Sequence, residues 1–202
     1  MVKSRLLASM VLSAGLLGMS GVASANLITN GDFESGSFSS WSTAGLTCSG
    51  VGSDFSGATG GCIGYDSDPG PHGGTSAAYL GTALGGGVIS QSFSTVAGQN
   101  YLIDFYMAIG SYQGVTTPNA MLVTAAGTTL LSMLNAPVQG FAHYSYDVLA
   151  SASSTTLTFT HGDQPSFFIL DDVSATAVPE PGTLLLLGIG AAALGFARRR
   201  RA

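Results

Sequence analysis

The stretch of sequence that decides the fold is Tyr101-Leu102-Ile103-Asp104-Phe105-Tyr106-Met107. Side chains of a β-strand alternate between its two faces, so the odd-numbered residues, which are all apolar or aromatic, share one face. The even-numbered residues Leu102, Asp104 and Tyr106 share the other face. One apolar and one mixed face are typical of a strand in a two-sheet sandwich, where the apolar face packs on the opposite sheet.

Other short runs rich in β-branched and aromatic residues follow, and glycine-bearing turns separate them. In one of them Tyr144, Tyr146 and Val148 share a face, opposite His143 and the polar residues beside it. The runs predict strands over residues 27–29, 76–80, 88–95, 101–108, 121–125, 129–134, 141–149, 155–160 and 167–175. No useful helical period appears between residues 26 and 177. The predicted fold class is therefore all-β, an antiparallel sandwich of two sheets.

The N-terminus has the three parts of a secretory signal peptide. Lys3 and Arg5 give a positive start, and residues 6–18 are mostly apolar. Ala23 and Ala25 then occupy the small-residue positions of a cleavage site. We expect signal peptidase to cut after Ala25, so residues 1–25 form a removed signal helix.

The C-terminus carries a second processing segment. Val178-Pro179-Glu180-Pro181 precedes an apolar run over residues 184–197, and Arg198-Arg199-Arg200-Arg201 closes it. The run is short for a membrane span, which needs about 20 apolar residues, although the arginines would hold the end on the cytoplasmic side. An ordinary transmembrane anchor fits the run and the arginines but leaves Pro179-Glu180-Pro181 unexplained.

This order of proline motif, apolar helix and arginine cluster resembles the PEP-CTERM sorting tail of Gram-negative bacteria, which also carries the label ice-binding protein C-terminal domain. The resemblance implies processing by an exosortase during a transient stay in the inner membrane, then delivery to the cell surface or to an extracellular polysaccharide matrix. The chain then divides into a signal peptide (1–25), an ectodomain (26–177) and a sorting tail with one apolar helix (178–202).

The charges of the ectodomain all have one sign. The chain's 6 Lys and Arg residues are Lys3, Arg5 and the four terminal arginines, so residues 26–177 contain no lysine or arginine. Of its 11 acidic residues only Glu180 lies outside the ectodomain, which leaves ten carboxylates. Nucleic-acid binding needs a basic surface and is excluded, as is binding of anionic glycans through arginine. A divalent cation is the counter-ion available outside a bacterium, and a plain soluble acidic surface is the simpler interpretation.

Residues 43–75 are mostly glycine, serine and aspartate, which predicts a long functional or mobile loop. Cys48 and Cys62 lie in it. For an exported chain with two cysteines we expect one disulfide, worth roughly 3 kcal/mol for a loop of about 15 residues, and metal binding is the weaker alternative. Asp66 and Asp68 favour a plain turn over a calcium loop. Trp41, just before this loop, is expected to close one end of the core.

The ectodomain also resembles the galactose-binding-like jelly roll of xylan- and glucan-binding carbohydrate modules. The framework motifs, in order, are Asn30-Gly31-Asp32-Phe33-Glu34, Ile89-Ser90-Gln91-Ser92-Phe93, Gly98-Gln99-Asn100-Tyr101, Phe105 and Leu170-Asp171-Asp172-Val173. The resemblance implies a jelly-roll sandwich with a structural calcium between the first loop and the last strand. Its ligands here would be the Gly31 carbonyl, Glu34, and Asp171 or Asp172. The alternative is that these acids only cap turns.

Sugar recognition needs aromatic faces and polar groups that fix hydroxyls. On the concave sheet the candidates are Asp104, Tyr106 and His143, with Tyr112 or Tyr65 reaching in from loops. Tyr106 as a packed aromatic and His143 as a solvated strand residue are the alternatives. A single tryptophan argues against tight binding.

Catalysis has little support in the sequence. There is no Gly-x-Ser-x-Gly elbow, and the histidines lack metal spacing. Asp171 and Asp172 are adjacent on one predicted strand, so they are expected to point to opposite faces and not to pair as glycosidase carboxylates. Two functions remain: a non-catalytic carbohydrate-binding module that contacts polysaccharide, or a structural matrix protein that self-associates. Ice binding is a distant third, because few threonines are available for a flat array.

Overall fold

A computed structural model describes residues 25–54, 69–82, 86–111, 114–163 and 167–179. Ten strands form two five-stranded antiparallel sheets. The first sheet has the order β1-β4-β9-β6-β7 and the second β2-β3-β10-β5-β8. The strands are β1 (Ser42–Ala44), β2 (Cys48–Gly52), β3 (Ala77–Gly81), β4 (Gly87–Ser94), β5 (Asn100–Ile109), β6 (Asn119–Ala125), β7 (Thr128–Leu134), β8 (Gln139–Leu149), β9 (Ser154–Asp163) and β10 (Phe168–Ala177).

The core lies between the sheets, on the face that alternation predicts. In β5 every second residue from Tyr101 to Met107 is buried, and Leu157 and Phe159 of β9 are completely buried opposite them. The ring of Phe105 stacks on Tyr144 of β8 and meets Phe159 edge-on across the sandwich, with ring centroids 5.2 Å apart in both pairs. The two-sheet antiparallel sandwich predicted from the sequence is confirmed.

Trp41 closes one end of this core, as expected. Its ring is 7% exposed and stacks on Phe33, with ring centroids 5.6 Å apart. The indole N–H donates to the Asn30 carbonyl at 3.0 Å, which satisfies the one polar atom of the ring. The first loop and the core are therefore joined through this side chain.

Two predictions of secondary structure were wrong. Residues 27–29 form no strand, because the segment makes an isolated backbone bond from Leu27 N–H to the Ala175 carbonyl rather than a ladder. Strand β2 lies inside the stretch of residues 43–75 predicted as a loop, and β1 begins one residue before that stretch and extends into it. The backbone of β2 pairs with β3 from Cys48 opposite Gly81 to Gly52 opposite Ala77, although its glycines and serine have low strand propensity.

A β-bulge in β10 joins the first loop to the second sheet. The pairing of β10 with β5 shifts register between Asp171 and Ser174, and Asp172 has a left-handed φ of 50°. The displaced Val173 N–H donates to the Gly31 carbonyl at 2.8 Å. A Cβ at Gly31 would overlap the Val173 carbonyl, so only glycine permits this approach.

The predicted signal helix and the apolar helix of the tail lie outside the described residues. Within the described ranges no helix is long and apolar enough to cross a membrane.

Candidate functional site

The outer face of the second sheet brings the three predicted strand residues together. Asp104 and Tyr106 project from β5, and His143 is the cross-strand partner of Tyr106 on β8. Asp171 of β10 pairs with Tyr106 from the other side, so its side chain belongs to the same face. We call this surface, together with His72, which stacks on Tyr106, and Asp172, which bonds His72, the imidazole face.

Three aromatic rings stack on this face. The imidazole of His72 lies 3.6 Å from the Tyr106 ring at an interplanar angle of 15°, and that of His143 lies 4.7 Å from it at 19°. Two rings this close to one centroid would overlap on the same side, so the imidazoles cover opposite faces of Tyr106. Phe141 meets the edge of His72, with ring centroids 5.2 Å apart.

Each imidazole is held by a carboxylate. His143 Nε2 donates to Asp104 Oδ1 at 3.0 Å, and His72 Nδ1 donates to Asp172 Oδ2 at 2.7 Å. The side chains of His143 and Asp172 are 47% and 37% exposed, so both pairs are open to solvent. Within the described residues the second oxygen of each carboxylate makes no hydrogen bond. These oxygens and the outer surfaces of the rings are the groups that a ligand could reach.

The loop that carries His72 is fixed by two further carboxylates. Asp171 Oδ2 accepts the N–H groups of His72 and Gly73 at 2.9 and 3.0 Å. Glu34 accepts the N–H groups of Thr75 and Ser76 at 2.7 Å and the Thr75 hydroxyl at 2.8 Å. These bonds lower the pKa of Glu34, with the Thr75 N–H as the largest cause. The loop over residues 72–76 is thus pre-organised before any ligand arrives.

Asp171 is fully buried, and burial raises its pKa to about 6. The N–H donors of Gly73, Asp172 and His72 act against this rise, and the neighbouring Asp172 charge adds to it. Contrary to the expectation of opposite faces, Asp171 and Asp172 both bond His72, because the bulge turns the second carboxylate. Asp171 holds the loop through its backbone N–H groups, and Asp172 holds it through the imidazole of His72.

The predicted calcium ligands converge on the same region. Glu34 and Asp171 hold adjacent parts of the loop, and the Gly31 carbonyl accepts from Val173. N–H and O–H donors already satisfy these oxygens, as the turn-capping alternative requires. Among the described residues no group of three or more His, Cys, Asp or Glu side chains is arranged to hold a metal ion. Calcium takes six to eight oxygens, so these residues would need carbonyl or water ligands in addition, and the calcium site stays a prediction.

Several predicted residues lie outside the described part of the chain. They are Tyr65, Tyr112, Ala23, Cys62, Asp66, Asp68 and the sorting residues from Glu180 to Arg201. Cys48 lies in β2, and its pairing with Cys62 stays a prediction. Of the sorting motif, Val178 and Pro179 are described, directly after the end of β10.

The outer face of the first sheet has a different chemistry. Register places Ser90 beside Thr158, Ser92 beside Thr156, and Thr124 on the other side of Thr158. The hydroxyls of Ser92 and Thr156 are 2.7 Å apart. We call this surface the hydroxyl face. It carries no charged side chain on the described strands, so it gives no anchor for an ionic contact.

The third histidine lies in the core. His161 of β9 is 1% exposed, and neither ring nitrogen has a hydrogen-bond partner within the described residues. Burial lowers its pKa to about 4, so the ring is neutral at physiological pH. A Cβ at Gly87 would overlap the imidazole, which leaves room there only for glycine.

Sequence reasoning missed His72 and Phe141 as parts of the site. His72 lies in a Pro-Gly-Pro-His-Gly-Gly segment with no periodicity, and its hydrogen-bond partners Asp171 and Asp172 are about a hundred positions away. The signal that could have found it is its place just before a predicted strand, next to the glycines of a tight loop.

Comparison with protein families matches residues 177–201 to the PEP-CTERM protein-sorting motif. The identification of the tail from its three-part order is thereby confirmed. The match covers the tail, and the ectodomain is compared below through its structure. No curated protein sequence matches the chain.

Solved structures share the sandwich fold at low sequence identity. The enzymatically active domain of bacteriophage CBA120 tailspike protein 4 aligns with a TM-score of 0.53 at 14% identity, over 76% of this chain and 21% of that one. The carbohydrate-binding module TmCBM61, solved with β-1,4-galactotriose, aligns with a TM-score of 0.51 at 20% identity, over 77% and 100%. A family 16 carbohydrate-binding module aligns with a TM-score of 0.50 at 14% identity, over 75% of this chain and 99% of that one.

The chain therefore spans about a fifth of the tailspike domain and the whole of TmCBM61. At these identities the likeness shows the fold, which carbohydrate-binding modules share.

Proposed function

We propose that this protein is exported, sorted to the cell surface through its PEP-CTERM tail, and contacts polysaccharide through the imidazole face of a non-catalytic jelly-roll domain. The observation that carries the proposal is the stack of His72, Tyr106 and His143, braced by Asp104 and Asp172 on an open sheet surface. The sorting motif and the module-like fold support it.

The chemistry of the face favours a neutral or amine-bearing polysaccharide. Sugar rings pack their C–H faces on aromatic rings, and carboxylate oxygens accept bonds from hydroxyl or amine groups. Because residues 26–177 contain no lysine or arginine, an anionic glycan would meet only like charge there. Ligand and surface are complementary when the glycan carries no carboxylate or sulfate.

The stack also defines which ring the sugar meets. Both faces of Tyr106 are covered by imidazoles, so Tyr106 acts as a spacer that sets the two histidines apart. His143 is the more exposed of the two imidazoles, with 47% of its side chain accessible against 32% for His72. We therefore assign His143 as the main stacking surface and Asp104 as the group that orients it.

A glycan-array screen of the exported protein tests the proposal, run with calcium and again with a chelator. We expect selective signal on one class of neutral or amine-bearing glycans. His143→Ala should lower the affinity about tenfold or more, since stacking and the oriented carboxylate are both lost. Ser92→Ala, a matched change on the hydroxyl face, should leave the affinity unchanged.

A blank array from a folded protein would overturn the proposal, and the structural matrix protein would then be the better account. Binding that responds to Ser92→Ala and not to His143→Ala would also overturn the assignment of the face.

A further inference from the structure

The edge of the first sheet at β7 carries no charge and no proline. An edge strand presents unpaired N–H and C=O groups, which natural proteins block with lysine, proline, inward charges, bulges or short length. β7 reads Thr128-Thr129-Leu130-Leu131-Ser132-Met133-Leu134; its pairing with β6 is bulged at Leu130, and Leu131 to Leu134 pair regularly after the bulge. Within the described sheets it pairs with β6 alone.

The other edge strands of the described sheets are protected. β1 and β2 are short, at 3 and 5 residues. β8 has 11 residues, but it carries His143 and Asp147 on its outer side. β7 is thus the one edge here that combines length with the absence of charge.

Apolar side chains add to the exposed backbone of β7. Leu134 is 75% exposed, the highest value among the large hydrophobic residues described, and Leu122 of β6 is 39% exposed. Both project from the outer face, where Leu134 lies opposite Ala120 and Leu122 opposite Ser132. On the inner side Leu131 and Met133 pack on the core but remain half-buried at its margin. Another strand along this edge would cover the three that β7 itself carries, Leu131, Met133 and Leu134.

The charge distribution favours a second copy of this chain as the partner of the β7 edge. Residues 105–142 contain no aspartate, glutamate, histidine, lysine or arginine, whereas the rest of the ectodomain carries carboxylates without a fixed cation. Two copies therefore repel each other wherever their carboxylates meet, and this stretch is a surface where they can approach without that cost. A two-fold axis would match the uncharged edge with itself.

We propose that β7 pairs antiparallel with β7 of a second copy, so that the two first sheets join into one continuous sheet. The backbone groups of the edge supply the hydrogen bonds, as in strand addition. Leu131 and Met133 become covered on the inner side. The imidazole face lies on the other sheet and stays open in this dimer, so each dimer would present two copies of it.

Sedimentation velocity over a concentration series of the full chain in mild detergent tests the dimer, with hydrogen exchange at low and high concentration to locate it. We expect a monomer–dimer equilibrium and slower exchange of β7 amides at high concentration, with no change in β8. Leu134→Lys and Ser132→Lys should each weaken dimerisation about tenfold or more, because each places a charge on the paired edge, as the lysines that protect natural edge strands do.

Leu149→Lys is the matched control, since Leu149 is 60% exposed on the edge strand β8. It should leave the dimer unchanged, and thermal unfolding should show that all three variants fold. A monomer at every concentration would overturn the proposal. A dimer whose protected amides lie outside β7, or one that Leu149→Lys weakens and Leu134→Lys does not, would overturn it as well.

Discussion

The two outer faces of the sandwich differ in what they can do, although the same alternation of side chains builds both. The imidazole face combines two histidines, three carboxylates and a tyrosine, and a loop held by Glu34 and Asp171 completes it. The hydroxyl face carries serine and threonine on β4, β9 and β6, with the exposed Leu122 and Leu134 towards its β7 edge. A loop docked by carboxylate hydrogen bonds is what turns one sheet face into a candidate site, and the other face lacks such a loop in the described part.

The largest expected difference between the faces is in stability. Asp171→Ala removes the acceptor of the His72, Gly73 and Asp172 N–H groups and leaves a buried hole, which should cost about 3 kcal/mol of unfolding free energy. Urea unfolding measures the cost. A loss below about 1 kcal/mol would show that the loop does not depend on this carboxylate.

The stability of the fold should depend on pH in opposite ways through Asp171 of the imidazole face and His161 of the core. The unfolded chain protonates His161 below about 6.5 but the folded chain only below about 4, so this group makes stability fall as the pH is lowered through that window. Asp171 has its pKa raised from 3.8 to about 6, so it makes stability fall as the pH is raised from 3.8 to 6. Each effect is at most on the order of 3 kcal/mol, and between pH 4 and 6 they oppose each other.

Removing one group at a time should therefore give plots of stability against pH that slope in opposite directions. In His161→Leu the Asp171 effect remains, and stability should decrease from pH 4 to 6. In Asp171→Asn the His161 effect remains, and stability should increase over the same range. Denaturant midpoints at several pH values test both, and parallel profiles in the two variants would contradict the assignment.

Calcium should act on the imidazole face alone if the predicted site exists. At a concentration 100 times its Kd, a bound ion stabilises the fold by about 2.7 kcal/mol. We expect Tm to rise with calcium in the natural protein and to rise less in Glu34→Gln, which keeps the shape of the side chain but loses its charge. Calorimetry without any calcium heat would leave Glu34 as a cap of the loop over residues 72–76.

The smallest effect is expected on the hydroxyl face. Thr156→Ala removes one exposed hydroxyl that is 2.7 Å from Ser92, and it should change the unfolding free energy by less than about 0.5 kcal/mol. The same urea experiment measures it beside Asp171→Ala. A loss as large as that of Asp171→Ala would erase the contrast between the two faces.

The sequence predicted the parts of the fold in which a local rule holds. Period-two alternation located β5, β8 and β9 and the face on which Phe105 and Phe159 are buried, because burial of one face is what alternation encodes. It missed β1 and β2, whose glycine and serine residues join the sheets through backbone pairing rather than through side-chain pattern.

The candidate site was predicted only where it lies on regular strands. Asp104, Tyr106 and His143 follow from the outer side of two adjacent strands, since cross-strand neighbours are close. His72 comes from a loop, and its place depends on Asp172, whose left-handed φ at a bulge breaks the alternation rule. Bulges and docked loops depend on contacts between distant residues, which a local pattern does not contain.

The three histidines offer the most direct test of the central claim, because two lie on the imidazole face and the third is in the core. We would record the NMR signals of their imidazole rings while titrating in the glycan selected on the array. We expect saturable shifts for His72 and His143 and none for His161. Glycan binding that leaves the His72 and His143 signals unmoved would contradict it.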